Sequence, residues 1–110
     1  MEYQEALVKA EEVKKQLASY CERVEIAGSI RRKKPFCKDV EIVCIRKNSE
    51  LWNFVRVVSE WYKILGQPTG KHTQRIHPNG ATVDLFMVTR ENWGLQLAIR
   101  TGSRDYSEKV

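Results

Sequence analysis

The sequence predicts an α+β domain, a mixed and twisted β-sheet with helices packed on one face. Three observations carry that expectation: an amphipathic helical period opens the chain, short alternating segments of strand character follow, and a hairpin signal, Asn79-Gly80, joins two further alternating segments. With 110 residues there is room for one core of ordinary size, so residues 1–110 are read as a single domain. A composition of 42% apolar and 30% charged residues supports a buried core under a soluble surface. Neither a disordered tail nor a disulfide-stapled miniature is needed to explain it.

Taken in order, Tyr3, Ala6, Leu7, Ala10, Val13, Leu17 and Tyr20 recur every three or four positions with Glu and Lys between them, which is a helix with one apolar stripe. Residues 23–27 alternate as a strand and run into Gly28-Ser29-Ile30-Arg31-Arg32-Lys33-Lys34-Pro35, a small, polar and basic loop suited to phosphate. A second strand covers residues 39–45. Asn48-Ser49 then caps an apolar helix over Leu51, Phe54, Val55, Val58, Trp61 and Tyr62. Residues 66–70 punctuate the chain before the hairpin strands, 73–77 and 81–88. Thr89 caps a helix through Trp93 and Leu97, and Thr101-Gly102-Ser103 breaks it ahead of a last helical turn over residues 104–110. The order is αββαβββα-like, without internal repeat, low-complexity tract or linker, and it argues for a mixed sheet.

Several functional classes are set aside by composition. No stretch approaches the roughly 20 apolar residues of a membrane span, and the start, Met1-Glu2-Tyr3-Gln4-Glu5, is acidic where a signal peptide is basic, so a cytosolic protein without a membrane partner is expected. Nineteen Lys and Arg against fourteen Asp and Glu leave +5, which favours polyanionic partners. Cys21, Cys37 and Cys44 are odd in number and lack a Cys-x-x-Cys pair; they read as reduced core filler, not as a disulfide framework or structural zinc site. His72 and His77 read as structural or solvated and remote from the acidic residues, and Trp52, Trp61 and Trp93 as core.

The chemistry concentrates elsewhere. Alternation along a strand points Asp39 and Glu41 the same way, roughly 6–7 Å apart, with Val40, Ile42 and Cys44 on the core side. The hairpin strand places Thr82, Asp84 and Phe86 on one side, so pairing of the two strands would bring Asp84 beside Asp39 and Glu41. Like charges 4 Å apart repel by about 4 kcal/mol at an effective dielectric near 20, so a bare trio asks for cations. An oxygen-only set suits two Mg²⁺ or Mn²⁺ ions. The competing reading of Asp39-x-Glu41 is a solvated or salt-bridged surface pair. Upstream, Gly28-Ser29 offers backbone amides and a hydroxyl, and Arg31 and Arg32 offer guanidinium forks for phosphate; the competing reading is a solvated basic face.

Gly28-Ser29-x-Arg31-Arg32, Asp39-x-Glu41 ten residues after the serine, Val83-Asp84-Leu85, Trp93-Gly94 and Thr101-Gly102-Ser103 together resemble the palm of family X, polymerase-beta-like DNA polymerases of the nucleotidyltransferase superfamily. The resemblance runs from near Glu5 to Ser107. It implies two Mg²⁺ (or Mn²⁺) ions held by Asp39, Glu41 and Asp84, with Asp84 helping to activate the primer hydroxyl. It implies that Ser29 and Arg32 hold the β- and γ-phosphates, that Gly28 allows their close approach, and that Thr101, Gly102 and Ser103 lie beneath the sugar and base. Lys71 matches a lysine near the DNA. The implied function is a minimal polymerase adding a dNMP from a dNTP to the 3′-hydroxyl of a DNA primer-template, releasing pyrophosphate.

Departures from the family pattern are specific. Glu41 stands for a second Asp, Ile99-Arg100 replace two aromatics, Ser107 replaces an Asn at the base, and Thr82 replaces an Arg that orients the third carboxylate. The lyase domain, the helix-hairpin-helix clamps and the thumb have no counterpart among these residues. Two alternatives follow: nucleotidylation of another acceptor, whether protein, RNA or small molecule, or a non-catalytic nucleotide- or DNA-binding palm acting with a larger protein partner that supplies thumb-like contacts.

Overall fold

The computed structural model describes residues 1–102. Ser103, Ser107 and the expected last helical turn lie outside the described residues. Helix α1 (Tyr3–Ala18) buries Ala6, Ala10, Val13 and Leu17, one residue per turn on a single stripe. Strand β1 (Cys21–Ala27) passes directly into a short helical turn, α2 (Gly28–Arg31), and β2 spans Val40–Arg46. A 3₁₀ turn (Asn48–Glu50) leads into α3 (Leu51–Ser59). Strands β3 (Tyr62–Leu65), β4 (His72–Ile76) and β5 (Thr82–Met87) precede α4 (Trp93–Thr101). The sheet order is β1-β2-β5-β4-β3, with β2 and β5 parallel and every other pair antiparallel.

The α+β class and the mixed sheet are as the sequence predicts. On one face, Val40, Ile42 and Cys44 of β2 and Val83 and Leu85 of β5 pack in one cluster with the α1 stripe and with Phe54 and Val58 of α3. The other face is not left bare. Val43, Ile45 and Phe86 form a second cluster with Trp93 of α4, so this helix departs from the expected single covered face. The reason is the apolar outward side of β2 and β5, which needs a cover at the end where the strands finish.

Three local expectations are corrected. The second helix ends at Ser59, and Tyr62 belongs to an edge strand whose four residues are all exposed; with neither face buried, no period-2 pattern marks it in the sequence. Trp52 is 80% exposed, whereas Trp61 and Trp93 are buried as expected. Thr89 does not cap α4 directly: its amide donates to Asn92 Oδ1 (2.9 Å), the Asn92 amide donates back to Thr89 Oγ1 (3.4 Å), and Asn92 is the cap residue. Cys21, Cys37 and Cys44 are buried free thiols. No helix among the described residues is long and apolar enough to cross a membrane.

Hairpin register decides which side chains meet. The His77 amide donates to the Ala81 carbonyl (2.8 Å), closing the loop around Asn79-Gly80, and the ladder then pairs Ile76 with Thr82, Gln74 with Asp84 and His72 with Phe86. A two-residue turn at Asn79-Gly80 would set Asp84 opposite Arg75 instead, because a one-residue slip exchanges the faces of a strand. As built, Thr73 and Arg75 face the core and His72 and Gln74 face the other side. His77 is buried against Trp61, with ring centroids 4.7 Å apart, and hydrogen-bonds Gln16, a structural histidine as expected; burial holds its imidazole below the ordinary value.

Arg75 is buried without a carboxylate beside it. Its guanidinium donates to the carbonyls of Val58 (3.4 Å), Trp61 (3.5 Å) and Gly66 (3.3 Å) and to Thr73 Oγ1 (3.1 Å), and burial pushes its pKa down. It therefore satisfies carbonyls at the C-terminal end of α3 and at the turn after β3, where unpartnered acceptors would be costly. Arg75→Met, which keeps the stem and removes the donors, is expected to lower unfolding stability by about 2–3 kcal/mol, read as a reduced urea midpoint with an unchanged m-value.

Candidate active site

Glu41 and Asp84 are direct partners across the parallel β2–β5 ladder, so both carboxylates leave the same face of the sheet. Asp39 lies in the bend immediately before β2, two residues before Glu41, and lines the same cleft as Glu41. The three feel one another. Burial and then the negative charge of Asp84 raise the Asp39 carboxyl above its ordinary value, offset by Lys38. Glu41 is raised by burial first, next by Asp84 and also by Asp39, while Arg32 and Arg100 pull it back.

Beside these acids the chain bends sharply. Gly28 leaves β1 at φ +64°, in the left-handed region, and a Cβ there would collide with the Glu41 carboxylate. Glycine is thus required twice, by backbone conformation and by close approach. The α2 turn that follows brings Ser29 and Arg32 to the wall of a cleft of about 310 Å³, shared with Asp39, Glu41 and Gly102 and edged by the cations Lys38 and Arg100. Arg32 Nη1 donates to the carbonyls of Thr101 (2.6 Å) and Gly102 (3.2 Å), tying the basic turn to the C-terminal end of α4. Arg32 Nε and Thr101 Oγ1 are buried without a hydrogen-bond partner among the described residues.

Of the residues singled out from sequence, Ser29, Arg32, Asp39, Glu41 and Gly102 therefore line one cleft, Gly28 lies under Glu41, and Thr101 is bound to Arg32. Ser103 lies outside the described residues. Asp84 shares the acidic face but is held from the opposite side: His72 Nε2 lies 2.8 Å and Gln74 Nε2 3.1 Å from Asp84 Oδ1. The expectation that His72 is structural or solvated and remote from the acids is corrected here. Remoteness in sequence is undone by the antiparallel β4–β5 pairing, which sets Gln74 opposite Asp84 and His72 one step away on the same face. The signal available in the sequence is the alternation of His72 with Gln74, which only the hairpin register converts into proximity to Asp84. Lys71 is exposed and lines a second, larger cleft of about 820 Å³ together with Arg46, His72 and Arg100.

Among the described residues, no three His, Cys, Asp or Glu side chains close into a ready-made metal cage. The donor chemistry nonetheless fits a hard divalent cation: two carboxyls of raised pKa and a third whose charge contributes to raising them, all of them oxygen donors. Among the described residues, both side-chain hydrogen bonds to Asp84 fall on Oδ1.

No protein-family model matches the sequence, and no curated protein matches it. Among solved structures, polymerase beta of Leishmania infantum in a ternary P/T complex superposes with a TM-score of 0.73 at 17% identity, covering 99% of this chain and 50% of that one. The ternary gap complex of the same protein gives a TM-score of 0.73 at 14% identity, covering 99% of this chain and 44% of that one. The shared feature is the fold, and this chain spans about half the length of those polymerases.

The raised carboxyls have a definite sign. A carboxyl whose folded pKa exceeds its unfolded value binds more protons when folded, so stability falls as pH rises through the window from the ordinary values, 3.8 for Asp39 and 4.5 for Glu41, up to their raised folded values. Asp84→Asn removes the largest charge acting on both. The Glu41 carboxyl is expected to titrate at lower pH in that variant, followed by side-chain carboxyl ¹³C shifts, and the acid-side slope of stability should flatten.

Proposed function

We propose that this domain is a metal-dependent nucleotidyltransferase, which transfers a nucleoside monophosphate from a nucleoside triphosphate to an acceptor hydroxyl with release of pyrophosphate. The reading extends to a minimal family X-like DNA polymerase that takes a dNTP and the 3′-hydroxyl of a DNA primer-template. The single observation that carries it is the placement of Glu41 and Asp84 as partners across β2–β5, beside a cleft that also presents Ser29 and Arg32. The polymerase-beta likeness supports the fold half of the reading.

Asp39, Glu41 and Asp84 would hold the divalent ions. Bound there, such ions lower the pKa of an attacking hydroxyl and offset charge on the phosphate under attack. The chain's own residues do the rest. Ser29 donates its hydroxyl toward phosphate oxygen, and Lys38 and Arg100 at the cleft edge offset the charge of a triphosphate entering beside two carboxylates. Arg32 fixes the α2 turn against α4, so the phosphate side and the Gly102 side of the cleft keep their spacing. Gly28 leaves room for Glu41 to lie across the start of that turn.

A second reading has its own support. Asp84 is already hydrogen-bonded through Oδ1 to His72 and Gln74, which suits a nucleotide- or DNA-binding palm acting with a larger protein partner. Transfer to a protein, RNA or small molecule uses the same cleft and differs only in the acceptor.

Purified protein with Mg²⁺ or Mn²⁺ and labelled dNTP is expected to extend a primer. Asp84→Ala should lower that rate by at least about a thousandfold with the fold retained by circular dichroism, since it removes a carboxylate and no apolar core side chain. Absence of extension, of label on any acceptor and of thermal stabilisation by nucleotide would overturn the reading. Nucleotide-dependent stabilisation without turnover would favour the binding palm. Gly28→Ala should depress activity by about ten- to a hundredfold, because the new methyl must displace Glu41.

A further inference from the structure

We propose that His72 is the positioning residue of Asp84, assisted by Gln74, and takes the place of the arginine that position 82 lacks. The inference rests on the nucleotidyltransferase reading. Three features of the geometry carry it. Both donors converge on one oxygen, with His72 Nε2 at 2.8 Å and Gln74 Nε2 at 3.1 Å from Asp84 Oδ1, so the carboxylate plane is held from two directions while Oδ2 accepts from neither. The imidazole is itself immobilised: it stacks on Phe86 with ring centroids 4.5 Å apart and planes 10° from parallel, and Phe86 is part of the buried cluster with Val43 and Trp93. The strand that carries His72 is pinned by the next residue, whose hydroxyl, Thr73 Oγ1, donates to the Leu65 carbonyl (2.9 Å).

Thr82, two residues before Asp84 on the same strand, makes no hydrogen bond to it; the donors come instead from the neighbouring strand β4. A donor locked in place on one carboxylate oxygen fixes how the other is presented, and outer partners of that kind commonly set metal affinity and rate within about 10–100-fold. His72 touches neither phosphate nor acceptor in this account; it acts through Asp84. It also lines the larger cleft.

The test compares the wild type with His72→Ala, His72→Gln and Asp84→Ala by three measurements: Mn²⁺ affinity without nucleotide from the electron paramagnetic resonance of free Mn²⁺, kcat and KM for dNTP, and the ¹⁵N resonances of the His72 imidazole. A glutamine amide nitrogen reaches close to the place of Nε2 and keeps the donor. His72→Ala is expected to weaken Mn²⁺ binding and lower kcat by about 10–100-fold each with KM within about twofold, and His72→Gln to restore both to within about threefold. In the metal-free wild type, the Nε2 resonance should report a proton donated to a carboxylate, and that signature should vanish in Asp84→Ala. If Asp84→Ala abolishes Mn²⁺ binding and transfer while His72→Ala changes neither, the positioning role is overturned and the nucleotidyltransferase reading stands. If His72→Gln matches His72→Ala in both quantities, the ring stacks without orienting and the role is equally overturned. If the wild type neither binds Mn²⁺ nor transfers nucleotide, the nucleotidyltransferase reading falls and takes this role with it.

Discussion

Everything of chemical interest in this domain depends on one pairing, the parallel register of β2 and β5 that sets Glu41 directly beside Asp84. Neighbouring strands lie about 4.8 Å apart, so two carboxylates placed as partners cannot ignore each other. Burial first, and the charge of Asp84 second, raise the carboxyls of Asp39 and Glu41 above their ordinary values. A sheet that keeps like charges side by side, with Asp84 only 6% exposed, stores an electrostatic penalty that a cation would relieve. The core on the opposite face, built from Val40, Ile42, Val83 and Leu85, is what holds the two strands in that register against the repulsion.

Strand β4 shows how a single alternating segment serves both sides of the sheet. Its inward residues, Thr73 and Arg75, bond the carbonyls of Leu65, Gly66, Val58 and Trp61, fixing the edge strand β3 and the end of α3. Its outward residues, His72 and Gln74, bond Asp84. The structural and functional halves are inseparable, since the register that buries Arg75 is the one that delivers His72 to the carboxylate.

Much of this was legible beforehand, for physical reasons. Helix α1 declares itself because a stripe of Ala6, Ala10, Val13 and Leu17 has one period and one partner. Strands β2 and β5 declare themselves because acidic and apolar residues alternate along them, and the cleft shared by Ser29, Arg32, Asp39 and Glu41 follows from β1 and β2 being antiparallel neighbours. Edge strand β3 was hidden, because Tyr62, Lys63, Ile64 and Leu65 are all exposed and burial imposes no pattern on them. His72 was hidden for a different reason: its role depends on whether the loop after His77 closes on Ala81 or one residue tighter, a distinction that Asn79-Gly80 does not settle. Helix α4 was legible as a helix and not as a cover for the second face, since that requires knowing that Val43 and Phe86 lie side by side.

The central claim is that the carboxylates of Asp39, Glu41 and Asp84 are arranged for divalent ions. Anomalous diffraction from crystals grown with Mn²⁺ and a nonhydrolysable dNTP addresses it most directly. The account predicts Mn²⁺ peaks in contact with oxygens of Asp39, Glu41 and Asp84, with the triphosphate reaching the Ser29 hydroxyl. Well-ordered nucleotide lying elsewhere, or a site without anomalous signal and with Asp84 bonded only to His72 and Gln74, would contradict it.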